Sequence, residues 1–179
     1  MNVDYSTSVF SFKRRFEYYL GDIVYGANDG IITTFAAISG AAGAGFSTTI
    51  IIVLGLANLI ADGFSMGASK YLSVKSMQSV DKAGSTRRSP VKDGAATFVS
   101  FVIAGALPLI PFLILPHAFE NSFTISATAT AIAFFVVGAT RSLVIDKHFV
   151  IAGLEMLIVG GAAAAIAYGL ASWVESLTR

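Results

Sequence analysis

Three carboxylates, Asp29, Asp62 and Glu155, sit inside runs that are otherwise apolar enough to cross a bilayer. A charge at that depth is costly, so its ordinary reading is an ion or proton path, or a partner that neutralises it. Around Asp62 the pattern sharpens. Asn58, Asp62, Met66 and Lys70 recur every four residues and so share one face of a helix, and such a stripe faces protein or water rather than lipid. A carboxylate oxygen beside a thioether sulfur is a mixed hard and soft ligand set, which favours a borderline divalent transition ion over calcium or magnesium. With no cysteine, and both histidines outside the centres of the apolar runs, a tight structural zinc site is not expected. The candidate metal residues are therefore Asp29, Asp62 and Met66, and Asp29, Asp62, Lys70 and Glu155 are candidates for proton coupling or a charge network. Each has a plainer alternative. Asp29 can be a helix-bending polar residue satisfied by Asn28 or a backbone amide, and Met66 can simply fill the core. Asp62 can join Lys70 in a structural network through intervening groups or water, and Glu155 can pair with Arg141 or Lys70.

The elements that position these residues follow from composition. With 55% hydrophobic and 13% charged residues and a mean hydropathy of +0.73, the chain has too little polar surface for a soluble domain. It reads as an all-α integral membrane protein, a single transmembrane domain over residues 1–179. Crossing about 30 Å of hydrocarbon at about 1.5 Å per residue takes roughly 20 residues, and five runs qualify: 23–45, 50–74, 95–115, 123–143 and 149–174. The first starts too late, and continues too far, for a removable signal peptide. Ahead of it, residues 9–20 interleave Phe10, Phe12, Phe16, Tyr19 and Leu20 with Lys13, Arg14, Arg15 and Glu17, which suits a short amphipathic helix in the headgroup region or a cationic leader. Nothing suggests nucleic acid or a tightly bound cofactor, and the missing cysteines exclude disulfides, thiolate sites and lipidated cysteine.

Every Lys and Arg except Arg179 falls on one side of this five-span arrangement: the N-terminus, the second connection with Lys75, Lys82, Arg87, Arg88 and Lys92, and the fourth with Lys147 beside Arg141. The positive-inside rule then places the N-terminus in the cytoplasm and the C-terminus on the far side. Residues 79–93 read as a polar loop too short to fold alone. Gly26 and Gly30 form a small-xxx-small pair in the first span, with Gly40, Gly43 and Gly45 after it. In the last span Gly160, Gly161 and the alanines at 162–165 repeat the theme, which permits close helix contact in lipid.

The run Gly26-Ala27-Asn28-Asp29-Gly30-Ile31 resembles a motif of the vacuolar iron transporter family. So does the run Ala57-Asn58-Leu59-Ile60-Ala61-Asp62-Gly63-Phe64-Ser65-Met66, followed by Tyr71-Leu72-Ser73-Val74. Gly105 with Pro108-Leu109-Ile110-Pro111, and the small residues of 160–169, extend the resemblance over nearly the whole chain. It implies a five-helix homodimer that moves Fe²⁺, and Mn²⁺ as well, out of the cytoplasm in exchange for protons along a path at the dimer interface, with Asp29 and Met66 on that path. The second connection is short and basic, so the chain is similar to the family's shorter branch, which lacks a cytoplasmic metal-binding domain. Where many members have a glutamate four residues after the methionine, this chain has Lys70.

On this reading Asp29 binds the ion and exchanges a proton for it, Met66 adds selectivity, and Asp62 completes the site or passes protons. Two competing classes are a non-transporting membrane scaffold or accessory subunit, which Lys70 favours, and an intramembrane aspartyl enzyme. Against the enzyme, the Gly-x-Gly-Asp signature is missing at both aspartates, as is the Asp-Gly-x-x-Ala-Arg continuation of the phospholipid-headgroup transferases. The expectation is therefore a transporter, and the short connections and lack of a presequence lean towards a bacterial cytoplasmic membrane over a vacuolar one.

Overall fold

In the computed structural model the described residues are 5–80, 88–115, 119–143 and 147–178. The side chains of residues 9–18, and Lys82 and Arg87 in the second connection, lie outside them. The described residues form α1 (Tyr5–Gly43), α2 (Thr48–Val80), α3 (Pro90–Gly105), a 3₁₀ turn (Leu107–Leu109), α4 (Ile110–Ile114), α5 (Phe119–Thr140), a second 3₁₀ turn (Arg141–Leu143) and α6 (Phe149–Thr178).

Four segments are long and apolar enough to cross a membrane: Thr48–Val80, Pro90–Ile114, Asn121–Thr140 and Phe149–Thr178. They match the last four expected spans. The first expected span lies in α1, which is continuous from Tyr5, so the backbone of residues 9–20 runs into it without a break. Among the described residues α1 does not pass as apolar enough, and its place in the bundle explains why. It packs against α2, α3, α5 and α6, and it buries Asp22, Thr34 and Ser39 as well as Ile31 and Ile38. Polar groups that would be costly in lipid are thus housed among neighbouring helices. The outward faces of the other helices are the reverse, with Phe64, Ile103, Ile132, Ile158 and Ile166 all exposed. So much outward apolar surface suits a hydrocarbon surrounding.

Three local devices set this arrangement. At the end of α1, Gly45 adopts a left-handed φ of +68°, Phe46 N–H donates to the Ala41 carbonyl at 3.1 Å, and Gly45 N–H donates to Ala42 at 3.0 Å. This glycine-capped turn reverses the chain and makes α1 and α2 antiparallel neighbours. The α3 helix begins with Pro90 in its first turn, where a missing N–H costs nothing, and it breaks after Gly105 because Pro108 and Pro111 cannot donate to the preceding turn. Ser126 of α5 donates to the freed Pro108 carbonyl at 2.6 Å.

The glycine pair of α1 lies directly against α3. A Cβ at Gly26 would stand 2.5 Å from the Thr97 carbonyl oxygen, and one at Gly105 would stand 2.7 Å from the Gly30 oxygen. In α6 the expected small-residue contact is half realised: Gly160 lies under the Phe134 ring of α5, whereas Gly161 has nothing within 4 Å. Two apolar clusters fill the interior. One joins Ile38, Ile51, Leu59, Phe101, Leu109 and Phe112, and the other joins Ile31, Phe35, Ala104, Phe134, Met156 and Ala164.

Candidate functional site

The reversal after α1 brings the N-terminal part of α1 beside the C-terminal part of α2. Here Lys70 Nζ meets Asp22 Oδ1 at 2.6 Å. Arg88 adds a second contact to Asp22, Nη2 to Oδ2 at 2.7 Å, and its Nε reaches Asp93 Oδ2 at 2.9 Å. Gln78 of α2 holds the Arg88 carbonyl. Two acids and two bases thereby tie α1, α2, the second connection and α3 together at one end of the bundle. Asp93 is wholly buried in the first turn of α3, where the helix dipole favours an anion.

This cluster corrects three sequence expectations. Lys70 pairs with Asp22 rather than with Asp62, because α1 lies closer to it than the carboxylate two turns away on its own helix. The polar loop expected over 79–93 is narrower, since Ser79 and Val80 end α2 and Pro90 to Asp93 begin α3. Glu155 pairs with neither Arg141 nor Lys70 but with Lys147 at 2.6 Å. Their side chains are 39% and 49% exposed, so Glu155 belongs to an exposed ion pair in the first part of α6. Asp22→Asn is expected to lower stability by about 1–3 kcal/mol in thermal unfolding in detergent. The figure is below the roughly 3–5 kcal/mol of a wholly buried broken pair, because the Lys70 and Arg88 side chains keep 26% and 31% exposure.

The ion pair also fixes the register of the two antiparallel helices. Eight residues from it lie Gly30 on α1 and Asp62 on α2, so Asp29 and Asp62 reach nearly the same depth, about 12 Å from the pair at ~1.5 Å per residue. They stand at this depth on two helices that pack against each other. Met66 lies one turn nearer the ion pair. It is half-buried and packs against the cluster of Ile38, Leu59 and Phe101, so part of its role is to fill the core. Asn58, Asp62, Met66 and Lys70 are all half-buried, as a stripe turned between protein and exterior should be, and among the described residues the buried Asn58 Nδ2 has no hydrogen-bond partner.

On its other side Asp29 opens into a cavity of about 220 Å³ lined by Tyr25, Asn28, Asp29, Ile32, Arg141, Met156 and Val159. Asn28, a candidate structural partner of Asp29, lines the same space, and among the described residues its buried Oδ1 has no hydrogen-bond partner. Met156 carries no sequence signal, standing alone in an apolar run. Asp22 and Asp93 were likewise legible only as charges near helix ends. Among the described residues no three of His, Cys, Asp and Glu converge. A cation held by Asp29 and Asp62 must therefore complete its shell with sulfur, amide oxygen or water, a sparse set suited to an ion that has to leave again.

A bundle of long helices, apolar outside and lined within by carboxylates at one depth, has the form of a membrane transporter for small cations. The comparisons carry this further: the chain belongs to the VIT family, whose model matches residues 20–88 and 77–172. This is a family of integral membrane transporters rather than enzymes. The chain is similar to a Toxoplasma gondii protein named vacuolar iron transporter, at 22% identity over 88% of this chain and 74% of the relative. It is also similar to vacuolar iron transporter 1 of Arabidopsis thaliana, at 22% identity over 86% of this chain and 85% of the relative. A Plasmodium falciparum vacuolar iron transporter is 48% identical, over 30% of this chain and 20% of its own length. The Toxoplasma alignment extends over 225 residues against the 179 of this chain, so that relative carries residues missing here. The two matched stretches of the family model overlap at 77–88, within the junction of α2 and α3 where the longer members are expected to carry their insertion.

Proposed function

We propose that this protein moves divalent transition ions, Fe²⁺ foremost and Mn²⁺ as well, out of the cytoplasm in exchange for protons. The observation that carries the reading is that Asp29 and Asp62 stand at one depth on two adjacent helices, about 12 Å in from a charged end. An arriving ion displaces the proton of Asp29, and the proton returns when the ion leaves, so the two fluxes run in opposite directions. Asp62 supplies the second carboxylate, and Met66, one turn away, discriminates against hard ions such as Mg²⁺.

The functional unit is a homodimer with its path where the two copies meet. The groove between α1 and α2, about 610 Å³ and lined chiefly by Ala37, Gly40, Ala44, Ala57 and Ala61 with Asn58 among them, supports this, since small residues let membrane helices approach closely. Because the chain has no cysteine, Ala61→Cys is the sole thiol in its variant. It is expected to give a disulfide-linked dimer on oxidation in membranes, whereas Ile158→Cys on the outer face of α6 is not.

The Lys70–Asp22 pair favours a second reading, a scaffold that keeps the fold without transport, because it sets a fixed cation where the family often has an acid. One experiment separates the two. The purified protein is reconstituted in liposomes with an interior metal dye and a pH gradient, and Fe²⁺, Mn²⁺ and Mg²⁺ uptake is compared for wild type and Asp29→Ala. Gradient-dependent Fe²⁺ or Mn²⁺ uptake lost in the variant supports antiport. Absence of flux from a folded dimer supports the scaffold.

A further inference from the structure

The cavity beside Asp29 brings together three ligand types from two helices. Helices α1 and α6 run parallel, fixed by Gly40 against Ala167 and by Ser172 Oγ donating to the Gly43 carbonyl at 2.8 Å. Eleven residues back from Gly40 is Asp29, and eleven back from Ala167 is Met156, so carboxylate and thioether face the same space at one depth. Met156 is 3% exposed, packed in the cluster of Ile31, Phe35 and Phe134 while lining this cavity, and among the described residues the buried Asn28 Oδ1 has no hydrogen-bond partner. At roughly 30 Å³ per water, the cavity of about 220 Å³ has room for an ion that keeps several of its waters. Arg141, at the end of α5, lines the same space and carries a permanent positive charge.

We infer that Asn28 Oδ1 and Met156 Sδ complete the Asp29 ion site from the α6 side, within a single protomer, and that Arg141 weakens it enough for the ion to be released. The inference rests on the reading of Asp29 as an ion ligand. Asp29 then serves two ligand sets, Asp62 across α2 and Asn28 with Met156 across α6, and an ion can move between them without leaving its carboxylate. The thioether makes this set prefer soft and borderline ions over hard ones. Arg141, lining the same cavity, repels the ion in the loaded site.

The test uses the full-length purified protein in nanodiscs with Cd²⁺ as a soft probe and Mn²⁺ as a harder one, reading affinities and the cadmium X-ray absorption fine structure. Leucine replaces methionine with little change of volume, so Met156→Leu is expected to weaken Cd²⁺ about tenfold, leave Mn²⁺ within about twofold and remove a sulfur neighbour from cadmium. Arg141→Gln is expected to tighten both ions at least about threefold by removing a like charge. A sulfur neighbour that persists in Met156→Leu, that disappears only in Met66→Leu, or that is absent in wild type overturns the inference. So does an equal loss of both ions in Met156→Leu. Asp29→Asn separates the two layers. If it releases cadmium while Met156→Leu keeps the sulfur, only the inference fails; if cadmium stays bound in Asp29→Asn, the underlying reading of Asp29 fails with it.

Discussion

Liposomes carrying Asp29→Asn are expected to take up Fe²⁺ no faster than protein-free vesicles under a pH gradient that drives uptake by wild type. The substitution keeps the size and planar shape of the side chain and removes only the charge. The half-buried position on α1 between α2 and α6 is therefore preserved, and the protein should still elute as a folded species. What is lost is the carboxylate level with Asp62 that opens on the cavity with Asn28 and Met156. Removing one member of a desolvated charge pair costs about 2–5 kcal/mol, which is between roughly thirtyfold and several thousandfold in affinity. An antiporter loses coupling as well, because the amide cannot carry the exchanged proton. Glu155→Gln is the matched control. Its carboxylate belongs to an exposed pair with Lys147, and its removal should leave flux within about twofold. Equal flux from Asp29→Asn and wild type would remove Asp29 from the path.

Gly30→Ala is expected to be the most damaging single methyl in the protein. A Cβ there would run into the Phe101 carbonyl oxygen and stand 3.0 Å from the Phe101 carbonyl carbon and Cα, all backbone atoms of α3. From the opposite side, Gly105 already packs against the Gly30 carbonyl. A side chain in the way can change rotamer, but a helix backbone can only be pushed aside as a whole. That shift would open the interior around Phe101, which is wholly buried. Overpacking usually costs about 1–3 kcal/mol, and here the immobile obstacle sets the expected loss at about 3 kcal/mol or more, read as a lowered midpoint of thermal unfolding in detergent. Gly161→Ala makes the contrast, since nothing lies within 4 Å of the added carbon. There the better helix propensity of alanine should be neutral or stabilising by up to about 1 kcal/mol. If both variants behave alike, the close approach of α1 and α3 is not what holds the bundle.

Much of the architecture was readable without coordinates because a bilayer imposes local rules. Backbone groups in hydrocarbon must be satisfied within their own segment, so apolar runs of the right length become helices whatever their neighbours are. The last four spans match the helical segments built from Thr48, Pro90, Phe119 and Phe149 onward to within a few residues, the one begun at Pro90 resuming as α4 after its break and the one begun at Phe119 ending as a 3₁₀ turn over Arg141–Leu143. Four-residue spacing put Asp62, Met66 and Lys70 on one half-buried face, and counting residues from the ends of two antiparallel helices set Asp29 near the depth of Met66, whereas the count from the Lys70–Asp22 pair sets it level with Asp62, one turn further in. The Gly26–Gly30 pair announced a close helix contact, though not that its partner would be α3.

What escaped the sequence is which faces meet. Lys70 found Asp22 instead of Asp62, and Glu155 found Lys147 instead of Arg141, because ion pairing is settled by the rotation and register of whole helices and not by the spacing of charges along one of them. Helix α1, read from the sequence as the first span, carries more polar residues than the others, and only the packing shows that four other helices shield them. Met156 is the clearest case. A thioether in an apolar run is indistinguishable from core filling until α6 is laid parallel to α1, and only that packing sets its sulfur at the depth of Asp29.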